Sequence, residues 1–428
     1  MAMKLGGVHA PHAKNTAGLP PVEMPAPGQV TLSMSQHIGA PCVPTVKVGD
    51  LVKVGQVVGD NPGKLCVPVH ASVSGKVSAI VDLTMPNGTV SKAVVIQSDG
   101  EQAMFEGIAP PRVDSLEDFI EAVRQSGLVG LGGAGFPTYQ KLKVPAGKVD
   151  SLVVNGAECE PYLTTDHRAM LDHAEDILEG VRQVMERLNI PSAYLCVEDN
   201  KPDAIGKLTE LSASMKGVSV VSMKAVYPKG AEKVTVYNAT GRVVPEGKLP
   251  LDVGCIVMNV NSLAFLAQYM RTGVPLIRRT LTVDGDAVKV PKNVTAPIGA
   301  AIEDVLAFAG GLKEEPMLVL MGGPMMGLAV NDTAMPILKN NNGLLAFTRA
   351  GADRPRETAC IRCGRCVKAC PVGLMPAAIE NAYKLENKAM LEKLKVNICM
   401  ECGCCAYVCP AKRDLVLTNR LAKKMLKG

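Results

Sequence analysis

The chain has 428 residues, is 47% hydrophobic and 20% charged, and carries a formal net charge of +5, no Trp, six Phe and eight Tyr. That length suits about three domains with real cores, and so few aromatic side chains among interspersed charges exclude the surface of a nucleic-acid binder. The best candidate for a membrane span, Cys255 to Ala267, is broken by Asn259, Asn261 and Ser262 and falls short of the ~18 apolar residues needed. The first residues lack the apolar segment of an export signal, so a cytoplasmic setting with no span of its own is expected.

In chain order, the first hundred residues read as β-structure. Val46 to Gln56 and Val67 to Ile80 alternate apolar and polar residues around Gly-Asp and Ser-Gly turns. Val48-Gly49-Asp50 through Gln56, followed by Ala71-Ser72-Val73-Ser74-Gly75-Lys76-Val77, resembles the barrel-sandwich fold of biotinyl and lipoyl carrier domains. Lys64 falls within about one residue of the lysine such domains modify, but without the Met-Lys-Met context, and a structural module is expected.

From Leu116 the period becomes helical, through Phe119, Ile120 and Val123, and stops at Gly127. Strand and helix then alternate: a strand over 151–155, a helix over 177–188, a strand over 193–197, a helix from Pro202 and a strand over 218–225. That alternation predicts an α/β domain with a largely parallel sheet. Between 276 and 330, short strand patterns flank one helix at 302–309 and end in the turn cluster Met321-Gly322-Gly323-Pro324-Met325-Met326-Gly327. Two stretches, 340–343 and 350–355, lack either period and read as linkers. A helix over 377–395 follows.

The cysteines carry the sharpest signal. Cys360-x2-Cys363-x2-Cys366-x3-Cys370-Pro371 is repeated as Cys399-x2-Cys402-x2-Cys405-x3-Cys409-Pro410. This is the spacing with which two-cluster bacterial ferredoxins hold two [4Fe–4S] cubanes, the fourth Cys of each run ligating the other cluster. It assigns Cys360, Cys363, Cys366 and Cys409 to one cluster and Cys399, Cys402, Cys405 and Cys370 to the other. Zinc sites and disulfide frameworks fit this double ladder poorly. Cys404 is surplus; Cys42, Cys66, Cys196 and Cys255 read as small buried hydrophobes. The six histidines, His9, His12, His37, His70, His167 and His173, are expected at surface or core positions, since thiolates complete both clusters.

The glycine-rich segment Gly127 to Thr138 lets backbone N–H groups approach an anion, as a flavin phosphate or a pyrophosphate requires. It lacks the spacing and distal acid of a Rossmann fingerprint. Asn155-Gly156-Ala157-Glu158-Cys159-Glu160-Pro161 ends the next strand, where α/β sheets bind ligands. With Lys141, Tyr227-x-x-Gly230-x-Glu232 and Asn259-Val260-x-x-Leu263-Ala264, these segments resemble the NADH- and FMN-binding subunit family of respiratory complex I. The resemblance implies that Gly130, Gly132, Gly133 and Gly135 bring backbone donors to FMN and NADH, Phe136 packs on the nucleotide and Lys141 meets its phosphates. It further implies that Asn155, Glu158 and Glu160 line the flavin, the two acids where hydride arrives, with Tyr227, Gly230 and Glu232 across the pocket and Asn259 on the FMN. Ala157 stands where that family has an acid.

The double cysteine ladder, the N-terminal β module and the Gly-Gly-Pro-Met-Met-Gly segment make nearly the whole chain similar to the RnfC family, a component of the Rnf complex, the membrane-bound ion-translocating ferredoxin:NAD oxidoreductase. The fold this implies is α/β multidomain: a barrel-sandwich β module at 1–105, a Rossmann-like FMN/NADH-binding domain at 106–262, a β-grasp (SLBB-like) module at 263–349 and an α-helical two-[4Fe–4S] ferredoxin-type domain at 350–428. The implied activity is electron exchange among NAD(H), FMN and two [4Fe–4S] clusters, by an oxidoreductase subunit peripheral on the cytoplasmic face of the inner membrane. Integral membrane and ferredoxin-like subunits would be its partners, with ferredoxin reached indirectly. Two alternatives stay open: a soluble NADH-dependent flavin/iron–sulfur reductase such as the cobalamin reductase of bacterial microcompartments, and a cluster-bearing scaffold subunit without NADH activity. The basic tail, Lys412, Arg413, Arg420, Lys423, Lys424 and Lys427, reads as a solvated helix end or a contact for an acidic partner or lipid headgroups.

Overall fold

A computed structural model describes residues 5–86, 88–353 and 355–427. Arg354 of the second loose stretch and the side chain of Lys427 in the basic tail lie outside the described residues. The alternating N-terminal segments form two small antiparallel sheets. One joins Gln29–Ser33, Val90–Ser98, Gly75–Thr84 and Leu51–Val52; the other joins Val43–Pro44, Val57–Asp60 and Val69–His70. Lys64 sits on an exposed turn beside them.

The helix Leu116–Gln125 begins at a Ser115/Asp118 capping box, which satisfies two otherwise unpaired backbone donors. Beyond it lies a four-stranded sheet in the order Val218–Met223, Ser192–Glu198, Ser151–Gly156, Cys255–Asn259. Every pairing in it is parallel, as the β/α alternation predicts. The first strand in sequence is internal; the chain runs outward through two more strands and then crosses to its other side. Connections therefore diverge between Ser151–Gly156 and Cys255–Asn259, opening a crevice at their carboxyl ends. The main hydrophobic core runs without a break from Val30, Val58 and Ile96 of the N-terminal sheets to Leu152, Val154 and Leu263 of this layer.

A six-stranded mixed sheet follows, in the order Val22–Glu23, Lys292–Pro297, Arg278–Asp284, Gly343–Phe347, Leu318–Met321, Leu328–Val330. The helix Ile302–Phe308 packs against this sheet in a second core, through Ile302, Val305 and Leu306. Two features correct the sequence reading. The first loose stretch runs directly into Gly343–Phe347, a fully buried interior strand; its short apolar run was hidden behind three asparagines. The second contains a short helix, Arg349–Ala352, capped by the Thr348 side chain.

The expected 377–395 helix is also two helices, Pro376–Lys384 and Lys388–Lys393. They are broken where Glu386 adopts φ +51 and Asn387 caps the second through Met390 N–H. Much of the basic tail is committed internally. Arg413 pairs with Glu380 and Glu357, while Arg420 and Lys423 both pair with Glu401.

Candidate functional site

The expected residues at the carboxyl ends of two adjacent strands of the parallel sheet meet at the crevice. Asn155 and Asn259 occupy paired positions on adjacent strands. The Asn155 amide donates to Gly230 O at 2.8 Å, and its Oδ1 accepts from Ala157 N–H at 3.2 Å. Asn259 caps the helix Val260–Thr272 through Asn261 N–H and donates to Asp166 Oδ2 at 2.8 Å. The glycine loop folds over this point, closed at its base by Gly130 N–H to Phe136 O at 2.8 Å. A Cβ on Gly132 would lie 3.2 Å from the Asn259 amide, whereas the same position on Gly133, at φ +123, is open. Phe136 is half-buried. Lys141 donates to Glu232 at 2.9 Å and to Val257 O at 3.0 Å, so its ammonium is held at the rim of the sheet.

The two acids differ in use. Glu158 has φ +48, and its carboxylate accepts the N–H groups of Asp166 (2.6 Å) and His167 (3.0 Å) at the start of the helix Thr165–Asp172. An anion is favoured at that helix end, so Glu158 braces the pocket wall instead of presenting a free carboxylate. Glu160 is the available acid. Its Oε2 accepts from Met325 N–H at 3.0 Å, while Oε1 is buried without a hydrogen-bond partner. Burial pushes its pKa up to about 7. Gly323 allows this approach, because a Cβ there would fall 2.3 Å from Glu160 Oε2. Tyr227, 3% exposed, lies beside the same carboxylate with its hydroxyl also unpartnered; burial raises its pKa far above the usual range. The Cys159 thiol accepts from Gly230 N–H at 3.3 Å and is pushed up to about 12 by burial, so it stays protonated.

Several supporting residues left no sequence signal. Lys14, from the N-terminal segment, donates to the carbonyls of Glu158 and Glu160, each at 2.8 Å, and of Leu163, tying down the acidic loop. Lys201, buried beside Glu198, donates to Ala157 O at 2.7 Å. Buried Arg279 bridges Leu131 O and Asn341 O, both at 2.6 Å, and Asn340 donates to Gly133 O at 2.8 Å. The 340–343 stretch thus clamps the glycine loop. Asp166 accepts from Asn261 at 2.7 Å, and burial, with Glu158 nearby, raises it to about 6. Asn261, two residues beyond Asn259, was within reach of sequence reasoning.

The cysteines gather as two tetrads. Cys360, Cys363, Cys366 and Cys409 surround a cavity of about 190 Å³, and Cys370, Cys399, Cys402 and Cys405 surround a second. Each space is lined by the four cysteines that the crossed spacing groups together. The second tetrad abuts the crevice: Tyr227 packs with Cys402, Cys404, Cys159 and Met325, and Cys404 Sγ approaches Tyr227 O at 3.9 Å. Cys360 and Cys363 of the first tetrad are exposed, beside exposed Ile361 and Met375. The glycine loop, the Asn155 and Asn259 side chains and the buried Glu160–Tyr227 pair thus gather around the carboxyl ends of the two strands.

Four family models match the chain. They are the RnfC Barrel sandwich hybrid domain over residues 3–101, the Nuo51 FMN-binding domain over 123–268, the SLBB domain over 280–329 and the 4Fe-4S dicluster domain over 359–412. The C component of the Na(+)-translocating ferredoxin:NAD(+) oxidoreductase complex of Acetobacterium woodii is 43% identical over 98% of this chain and 96% of its own. The proton-translocating counterpart of Clostridium ljungdahlii is 42% identical over 87% and 83%. The C component of the ion-translocating oxidoreductase complex of Rhodobacter capsulatus is 37% identical over 87% and 73%. Among solved structures, an NAD+-reducing [NiFe]-hydrogenase in the H2-reduced state superposes with a TM-score of 0.50 at 18% identity. It covers 74% of this chain, which spans 63% of that one, and the likeness is one of fold.

Proposed function

The chain belongs to the RnfC family of ion-translocating ferredoxin:NAD(+) oxidoreductase complexes, and from that membership we propose that it is the subunit that exchanges electrons between NAD(H) and iron–sulfur clusters. The observation that carries this reading is the continuity between the crevice and the second cysteine tetrad through Tyr227, Cys159 and Cys404. Bound FMN would supply the conversion between two-electron nicotinamide chemistry and one-electron cluster chemistry. The residues here position and tune. Gly132, Gly133 and the Asn155 and Asn259 amides hold the flavin; Phe136 and Lys141 take the dinucleotide; Glu158 and Lys14 fix the acidic loop.

Glu160, with a pKa near neutrality and one unpartnered oxygen, is the group that can hold or release a proton at the flavin edge. The tetrad of Cys370, Cys399, Cys402 and Cys405 is then proximal. The tetrad of Cys360, Cys363, Cys366 and Cys409 is distal, its exposed Ile361, Arg362 and Arg365 meeting a ferredoxin-like or membrane partner. The Rossmann-like and β-grasp descriptions, and the four-domain division at 105, 262 and 349, fit this assignment of tasks. Among the described residues no helix is long and apolar enough to cross a membrane. We therefore place the chain as a peripheral subunit, at the cytoplasmic face where NADH is found. Membership in a family of complex components favours this reading over a free-standing reductase.

Flavin content tests the site. The chain supplied with FMN is expected to retain about one per molecule and Gly132→Val to retain none, because added side-chain atoms would meet Asn259. Equal retention by both would place the flavin elsewhere.

A further inference from the structure

A second cluster of ligating side chains lies in the N-terminal β module, away from both tetrads. Cys42 precedes the strand Val43–Pro44 and Cys66 precedes Val69–His70; both are buried, 5% and 0% exposed, and both are free thiols. Their sulfurs are 3.2 Å apart. His37, on the turn after Gln29–Ser33, brings Nε2 to 4.0 Å from Cys42 Sγ, and one ligand atom from each of the three residues falls within 4.8 Å of the others.

Three details make this a built site. The His37 Nδ1 faces Ile38 O at 3.3 Å; donating there leaves the Nε2 lone pair directed at the two sulfurs, the orientation that second-shell bonds give metal-ligating histidines. That lone pair now accepts Val67 N–H at 3.3 Å, which a bound cation would displace. Buried Lys339 donates to Pro68 O at 2.6 Å, fixing the segment that carries Cys66. Finally, His37 is only half-buried, so a path leads in from solvent.

We propose that His37, Cys42 and Cys66 form a binding site for a thiophilic divalent cation, zinc, that is separate from the iron–sulfur centres. Two thiolates and one imidazole are a zinc donor set. Sulfurs bound to one tetrahedral zinc sit roughly 3.8 Å apart, so a small opening of the pair suffices. Both thiol protons leave to solvent on binding, and no electron is transferred. Asp60 is near, with Oδ1 at 4.0 Å from Cys66 Sγ, but both its oxygens are held by Arg124 at 2.7 and 2.8 Å. The fourth position is therefore left to water.

The ligands come from two segments, the 37–42 turn and the stretch before Val69–His70, so the cation would staple that turn to the sheet. That turn braces the glycine loop from behind: Ile38 N–H donates to Gly135 O at 3.0 Å, and Gln36 Oε1 accepts from Lys339 N–H at 3.1 Å. The site itself does not depend on the flavin reading.

The test is elemental analysis of the anaerobically purified chain with its clusters reconstituted, alongside His37→Ala, Cys42→Ser and Cys66→Ser. The wild type is expected to hold about one zinc per chain beyond its iron, and each variant to lose it with iron unchanged. Should the buried cysteine variants fail to fold, His37→Ala and a cobalt(II) titration of the wild type carry the test. Cobalt is expected to give the intense visible bands of a tetrahedral thiolate site in the wild type and to lose them in His37→Ala. Zinc absent from the wild type, zinc retained in all three variants, or a Cys42–Cys66 disulfide in peptide mapping overturns the proposal.

Discussion

Replacing Glu160 by Gln is expected to change how stability depends on pH. The carboxyl is raised from its usual value near 4.5 to about 7 by burial. Below pH 4.5 the folded and unfolded states both hold the proton. Between 4.5 and 7 the unfolded chain releases it first, so the wild type loses stability as pH rises; above 7 the loss is complete. A shift of this size, at about 1.4 kcal/mol per pH unit, amounts to roughly 3 kcal/mol. Gln cannot titrate, and its amide can accept from Met325 N–H through oxygen while its nitrogen faces the Tyr227 hydroxyl. Thermal unfolding of the anaerobic holo-chain by near-ultraviolet circular dichroism, at pH 5 and pH 8, reads the difference. The gap in Tm between variant and wild type is expected to widen by roughly 3 °C in the variant's favour at the higher pH, the shift that an unfolding entropy scaling with all 428 residues allows. Unfolding curves that stay parallel would refute a buried, proton-holding Glu160.

Other perturbations follow from the same geometry. Lys14→Met removes the donor shared by three carbonyls of the acidic loop, and is expected to cost roughly 3 kcal/mol in urea unfolding. Because burial lowers the Lys14 pKa, wild-type stability gains as pH rises towards 10.5, and the variant lacks that gain. Gly323→Ala places a Cβ 2.3 Å from Glu160 Oε2 and is expected to destabilise by about 1–3 kcal/mol, with slower NADH oxidation in stopped flow. Cys370→Ser and Cys366→Ser should each remove one cluster signal from the dithionite-reduced EPR spectrum. With Cys370→Ser, NADH should no longer reduce the surviving cluster, whereas Cys366→Ser should leave a cluster that NADH reduces; the opposite pattern would reverse the order of the tetrads.

The grouping of eight cysteines around two spaces was legible because each half-motif holds three of its cysteines close together in sequence and the repeated x3 spacing sends the fourth to the other half-motif. Alternation of strand and helix likewise announced the parallel sheet and so the crevice at Asn155. Tertiary donors were not legible. Lys14 reaches the acidic loop across 144 residues of sequence, and neither its spacing nor its neighbours mark it. Glu158 shows the converse: its motif was visible, but its φ of +48 turns the carboxylate onto a helix end, which sequence does not report. Gly343–Phe347 was hidden because three asparagines outweighed a four-residue apolar run. Cys42 and Cys66 read singly as hydrophobes because only folding brings them together.

The central claim is that electrons pass between NADH and the clusters within this chain. Anaerobic titration of the purified chain, supplied with FMN, by NADH under combined visible absorbance and EPR tests it most directly. The account predicts bleaching of the flavin band together with the appearance of reduced-cluster signals. Clusters that dithionite reduces and NADH leaves oxidised would contradict it.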